Sequence, residues 1–414
     1  MPPRFRLLIV TQFVSALADN ALLIVTIAWL HQLGSPLWWV PLLKVSFLAP
    51  YVLLAPVLGP LADAWPKARL MAVMNAFKLL GVLALAWGLQ PLLAYAIVGV
   101  AASAYAPAKY GLVTEMVPPQ QLVQANAWLE CSVVSAVLLG TVLGGFLVST
   151  AFVEAAHGTG LGLWLQQAGL ARETTLGPSL LLLSAVYGLA GLLNLGVPDS
   201  GRRYERRSLR WRALMRDFAQ ANATLWRDAE GGLSLAVTVL SWGAGAVLQF
   251  AVLRWAVDVL GLGLDRAAYL QAVVAVGVMA GALIAGRWVN LQDVRRLLPL
   301  GPLLGLLVAC GGLSTQLGSG ALLMALVGLA GGLLIVPMNA LLQHRGYQLL
   351  TAGRSIAVQG FNENLGVLVM LGIHAALIAL QLPIDVLLVG WGSALALAMG
   401  VLLLRLQHLH RRAA

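Results

Sequence analysis

An all-α polytopic membrane protein is the fold class that this sequence predicts, on three observations. Of its 414 residues, 60% are hydrophobic and only 10% are charged. Soluble domains carry about 45–50% apolar and about 25% charged residues. The apolar residues fall in blocks close to the roughly 20 residues that an α-helix needs to cross a bilayer. The basic residues gather in alternate connections between those blocks, as cytoplasmic loops require. Together these exclude a soluble enzyme with one anchor, a disordered chain and a disulfide scaffold. An outer-membrane barrel is excluded too, because its strands are about ten residues long and alternate in polarity.

Twelve blocks are expected to span, at 7–30, 38–62, 69–89, 91–107, 122–149 and 178–197, then 234–259, 267–289, 297–316, 320–341, 354–379 and 383–405. The first follows Arg4 and Arg6 but runs well beyond a cleavable signal core, so it reads as a retained helix. Twelve crossings put both termini on one side. With that side cytoplasmic, Arg4, Arg6, Lys67, Arg69 and Lys109 lie inside, as do Arg287, Arg295, Arg296, Arg345, Arg354, Arg405, Arg411 and Arg412. Only Arg172 and Arg266 fall in loops on the other side. The orientation is therefore N-in and C-in.

The stretch from Asp199 to Glu230 carries Arg202, Arg203, Arg206, Arg207, Arg210, Arg212, Arg216 and Arg227. It divides the chain into six-helix bundles at 1–198 and 234–414, joined by a cytoplasmic basic linker at 199–233. Either the linker is a plain positive-inside anchor, or it forms an interfacial helix on anionic lipid with Trp211, Leu214 and Phe218 as its apolar side. The segment 160–170 in the long external loop is weakly amphipathic.

The net charge of +10 follows from the same loop bias and implies no nucleic-acid partner. Cys131 and Cys310 lie in apolar stretches without metal-ligand spacing and read as small buried hydrophobes. No zinc motif, nucleophile elbow or phosphate-binding loop is present, which points away from an enzyme, a metal or a cofactor. The 44 glycines fall mostly within spans, as in Gly140 through Gly145, where they permit close helix contact.

The two halves match faintly. Val98-Gly99 precedes Pro107 in span four, and Val327-Gly328 precedes Pro337 in span ten. Asn126 leads to Glu130 in span five, and Gln359 to Glu363 in span eleven. Parallel repeats of this kind suit a transporter with its site between two bundles. Charged residues within spans are costly in lipid and require a purpose; they are Asp19, Lys44, Lys78, Glu130, Arg254 and Glu363. Residues three, four and seven apart share a helix face. Gln12, Ser15, Asp19 and Thr26 make such a stripe, and Asn75 sits beside Lys78. Lys44 reads as an interfacial lysine that snorkels. Lys78 is either a structural partner of Asp19 or a ligand for substrate, and Glu130 either an interhelical tie or part of a cavity. Buried carboxylates at Asp19, Glu130 and Glu363 would also suit a proton-coupled exporter of hydrophobic drugs.

The connection Gly59-Pro60-Leu61-Ala62-Asp63-Ala64-Trp65-Pro66-Lys67-Ala68-Arg69 resembles the G-x-L-A-D-x-x-x-[RK]-[RK] signature of the major facilitator superfamily. An Asp there can accept N–H bonds at a helix N-terminus and pair with a nearby Arg, a role that the resemblance gives to Asp63 and Arg69. The segments Gln12 to Leu23, Ala104 to Gly111, Trp242 to Gly245, Val336 to Gln343 and Ala357 to Glu363 look like the bacterial lysophospholipid transporter family within it. The resemblance runs from Leu7 to Leu406. It implies inward flipping of lysophosphatidylethanolamine and lysophosphatidylglycerol across the bacterial inner membrane. Reacylation by a cytoplasmic acyltransferase/acyl-carrier-protein synthetase would follow. It also implies substrate contacts at Asp19, Asn20, Lys78, Glu130, Gln249 and Glu363, and gating by Asp63, Lys67 and Arg69. Gln249 stands where that family commonly has an arginine, so a head-group phosphate contact is expected to be absent or moved. Arg254, five residues on, is not an obvious substitute, since it lies about 140° further round the helix.

Overall fold

The computed structural model describes residues 3–36, 38–160, 164–165, 167–170, 174–202, 204 and 210–413. Arg172, Arg203, Arg206, Arg207 and part of the 160–170 segment lie outside the described residues, as do the side chains of Arg4, Arg411 and Arg412. Every regular element described is helical. In order these are α1 (Pro3–Gln32), α2 (Trp39–Leu53), α3 (Ala55–Ala64), α4 (Lys67–Ala86), α5 (Pro91–Met116), α6 (Leu122–Leu147), α7 (Thr150–Gly158) and α8 (Gly177–Leu195). Then follow α9 (Trp211–Arg227), α10 (Ala229–Asp258), α11 (Leu264–Trp288), α12 (Leu300–Leu313), α13 (Leu317–Leu349), α14 (Ala352–Ala379) and α15 (Ile384–Ala413). Short 3-10 turns occupy Pro119–Gln121 and Leu291–Leu297. Among the described residues ten helices are long and apolar enough to cross a membrane, and up to twelve crossings result if each of two bent pairs counts as one.

The bent pairs depart from the uniform helices expected at 38–62 and 297–316. Between α2 and α3 the axis turns by 67°. Pro56 stands in the first turn of α3 and has no N–H to continue the ladder, so Leu54 closes α2 onto the Pro50 carbonyl and α3 starts afresh. The second break, 43° between Leu291–Leu297 and α12, falls at Pro299 for the same reason. Elsewhere proline is tolerated. α5 continues through Pro107 to Met116 and α13 through Pro337 to Leu349, both past the ends expected from sequence, as neighbouring helices allow in membranes.

Packing groups the chain into two compact units. One comprises Met1–Met116, Ser135–Ala221 and Leu350–Phe361; the other comprises Val117–Val134, Asn222–Leu349 and Asn362–Ala414. The first thus includes the opening turns of α14, where a Cβ at Gly59 of α3 would lie 2.9 Å from the Arg354 Cα. The second includes the start of α6, where a Cβ at Gly286 of α11 would lie 2.5 Å from Ala127. The first unit's core is built on Leu22, Val25, Trp29, Val82, Val98 and Tyr187, the second's on Val252, Trp255, Met324, Leu334 and Leu388.

A matching close approach occurs in each unit. Gly99 of α5 backs onto the Phe47 backbone of α2, and Gly328 of α13 onto the Val274 carbonyl of α11. These are the two glycines that the repeat pattern pairs. Gly140 and Gly144 of α6 likewise face α1, whereas Gly145 meets nothing within 4 Å. Outward, α8 shows Leu189, Leu192 and Leu195, and α12 shows Leu303, Leu306 and Leu313. Leucines at helical spacing exposed along a flank are a lipid-facing surface. Cys310 is exposed on that α12 face and Cys131 is half-buried, which corrects their reading as buried core. Lys109 and Lys67 are buried in the first unit.

Candidate functional site

The first unit encloses a polar network in an apolar setting. Ser15 and Asp19 stand one turn apart on α1, and Asn75 and Lys78 stand on one face of α4. Lys78, 2% exposed, places Nζ 2.6 Å from Asp19 Oδ2 and donates to Ser15 Oγ at 3.0 Å. Ser15 donates in turn to Asn75 Oδ1 at 2.7 Å. Tyr187 of α8 donates to Asp19 Oδ1 at 2.7 Å, and Lys78 lies 5.1 Å from the centre of the Tyr105 ring on α5. Four helices thus converge on one ion pair. The tyrosines were not singled out in the sequence, where an aromatic inside a span reads as core. Gln12 accepts from Lys109 at 3.5 Å, and Lys109 lies 4.2 Å from the centre of the Tyr110 ring. Asn20 donates to the Ala16 carbonyl of its own helix at 2.8 Å.

A second cluster in the same unit surrounds the signature loop. Asp63 accepts the Gly353 amide hydrogen at 2.8 Å and the Thr351 hydroxyl hydrogen. It therefore sits at the N-terminus of α14, where the helix dipole favours an anion. Lys67 lies 3.8 Å from Asp63 and 2.7 Å from Glu115 at the end of α5. Glu115 also accepts from Tyr204 at 2.8 Å and from Ser200. Lys67 is the cation that meets these carboxylates, while Arg69 is exposed. Just beyond, Arg354 pairs with Asp217 of α9 at 2.8 Å, and Phe218 packs edge-on against Phe361. Leu214 is buried as well, so Leu214 and Phe218 face protein. The apolar side assigned to the linker helix is thereby corrected: Trp211 and Met215 are the large apolar residues exposed near its start.

The second unit holds the remaining candidates. Glu130 is buried on α6, Glu363 is half-buried on α14, and Gln249 is exposed on α10. The Gln249 carbonyl accepts from Gln271. Asn126 and Gln343 exchange two hydrogen bonds, each of 2.9 Å, through their amide groups. Near the start of α10, Asp228 accepts from Arg345 at 2.6 Å and caps the helix through the Gly231 amide at 2.7 Å. The Arg345 guanidinium holds the Asp228 carboxyl below the usual carboxylate range. Glu230 pairs with Arg345 at 3.3 Å and also with Arg295. Among the described residues no group of His, Cys, Asp and Glu could hold a metal ion.

Paired charges buried between helices can bind and release a charged group. The comparisons agree with that chemistry. Residues 8–371 match the model of the Major Facilitator Superfamily. The lysophospholipid transporter LplT of Yersinia pestis (strain Pestoides F) is 40% identical over 90% of this chain and 86% of its own length. The same values hold for LplT of Yersinia pseudotuberculosis serotype I (strain IP32953). Among solved structures, the transporter FucP in its outward conformation superposes with a TM-score of 0.72 at 15% identity, over 97% of each chain. The human organic anion transporter MFSD10 gives 0.69 at 14% identity, over 97% of this chain and all of that one.

Proposed function

Because this chain belongs to the major facilitator superfamily and, within it, to the lysophospholipid transporter family, we propose that it is a lysophospholipid flippase. It moves lysophosphatidylethanolamine and lysophosphatidylglycerol across the bacterial inner membrane to the cytoplasmic leaflet, where an acyltransferase/acyl-carrier-protein synthetase reacylates them. The proposal includes twelve spans in six-helix bundles at 1–198 and 234–414, with both termini and the linker at 199–233 in the cytoplasm. The bias of basic residues toward one set of loops supports that orientation.

The Asp19–Lys78 pair carries the mechanism. A zwitterionic head group brings an ammonium and a phosphodiester. Asp19 can exchange Lys78 for the ammonium while Lys78 turns to the phosphate, so no charge is left unpaired in a low-dielectric site. Tyr187 keeps Asp19 oriented through the exchange. Asn20, Glu130, Gln249 and Glu363 complete the proposed substrate contacts, and Asp63, Lys67 and Arg69 the gate.

Liposomes containing the purified protein test the reading. Labelled lysophosphatidylethanolamine should cross between leaflets without an ion gradient, and Asp19→Ala should abolish the flux. Folded protein that moves no lipid overturns the reading. Proton-driven drug efflux in the same vesicles would favour the exporter instead.

A further inference from the structure

A separate polar cluster lies wholly within the unit built from Val117–Val134, Asn222–Leu349 and Asn362–Ala414. Arg254 stands one turn before the end of α10 at Asp258, His374 near the end of α14 at Ala379, and Trp391 two turns into α15, which starts at Ile384. His374 is 4% exposed, and its ring centre lies 6.3 Å from that of Trp391 at 61°. Arg254 lies on α10, which packs against α15, the helix of Trp391. Arg254 Nε donates to Asp258 at 3.0 Å on its own helix. That leaves Arg254 Nη1, Trp391 Nε1 and both ring nitrogens of His374, all buried and without a hydrogen-bond partner among the described residues.

Buried donors are rarely left unsatisfied, because each forfeits its hydration for nothing. Here one guanidinium nitrogen, an imidazole and an indole N–H are left so on three helices of one unit. This donor set is rich in N–H groups and carries positive charge at Arg254, which suits an oxyanion with several acceptor oxygens. We infer that Arg254, His374 and Trp391 form a binding site for the phosphodiester anion of a lipid head group, distinct from the Asp19–Lys78 pair. The identity of the lipid rests on the lysophospholipid reading above. Near the ends of their helices, the three residues lie where a head group would be met before it reaches the middle of a span.

Saturation binding of radiolabelled lysophosphatidylethanolamine to the full-length protein in nanodiscs tests the site. Arg254→Gln and His374→Leu should each weaken binding by about tenfold or more, and Arg254→Lys should recover part of the loss. Glycerophosphoethanolamine should compete, whereas monoacylglycerol, with the chain but no phosphate, should not. Competition by inorganic phosphate as strong as that by glycerophosphoethanolamine would overturn the lipid assignment in favour of a free-phosphate site. In the unaltered protein, site-resolved carbethoxylation of His374 should slow with lysophosphatidylethanolamine and not with monoacylglycerol. Unchanged affinity in both variants, with His374 unprotected, overturns the inference and leaves transport by the unaltered protein standing. Protection by glycerophosphoethanolamine in a protein that moves no lysophospholipid does the reverse: the site stands and the transport reading falls.

Discussion

Asp19 and Lys78 hold each other at 2.6 Å across α1 and α4, with Lys78 buried and the second Asp19 oxygen taken by Tyr187. Each charge is therefore the main compensation for desolvating the other. Neutralising one partner should cost about 3–5 kcal/mol, because the other is left buried and uncompensated. Asp19→Asn and Lys78→Met should each lower the melting temperature in detergent more than the double variant does. Single losses that simply add in the double variant would show that the pair is not coupled.

Asp63 links the signature loop to the N-terminus of α14 through Gly353 and Thr351. Asp63→Ala removes a charge-assisted acceptor from the buried Gly353 amide and the half-buried Thr351 hydroxyl and should cost about 1.5–3 kcal/mol. Thr351→Val removes only one donor and should cost less. Melts of the purified variants give the order; a larger loss for Thr351→Val would contradict it.

The Arg345–Asp228 contact makes stability depend on acid. Asp228 has its folded value below the unfolded one of about 3.9. Its contribution is therefore fully present above about pH 4 and is lost as the pH falls through the folded value. Asp228→Asn keeps an acceptor for the Gly231 amide but removes the charge. Its melting temperature should lie below that of the unaltered protein at neutral pH, and the two should converge in strong acid. A gap that widens on acidification would give the wrong sign.

Glycine packing is specific to position rather than to composition. A Cβ at Gly328 would lie 2.1 Å from the Val274 carbonyl oxygen, whereas one at Gly331, three residues on, would meet nothing within 4 Å. Gly328→Ala should push α11 and α13 apart at a cost of about 1–3 kcal/mol. Gly331→Ala should be neutral or slightly stabilising, since alanine is the better helix former. Thermal melts of the two variants in the same detergent separate these outcomes.

Much of the membrane architecture was legible in the sequence, because the length and polarity of a span are set by the thickness of the bilayer and need no tertiary information. The charged residues inside spans were legible for a related reason: in lipid each must have a purpose, so Asp19 and Lys78 stand out in any apolar run. The glycines of the repeat, Gly99 and Gly328, were visible as a pattern, and both proved to be close approaches of backbone to backbone. Partner choice was not visible. That Lys67 rather than Arg69 meets Asp63 and Glu115, that Tyr187 completes Asp19, and that Leu214 and Phe218 face protein rather than lipid all depend on which helix lies alongside. The bend at Leu54 and the straight passage through Pro107 and Pro337 belong to the same class. Proline only removes a donor, and whether the helix then breaks depends on what its neighbours supply. Sequence thus determined which residues must leave lipid, since transfer cost belongs to each residue alone. Tertiary structure decided which of them meet, since hydrogen bonds and ion pairs are properties of distances between helices.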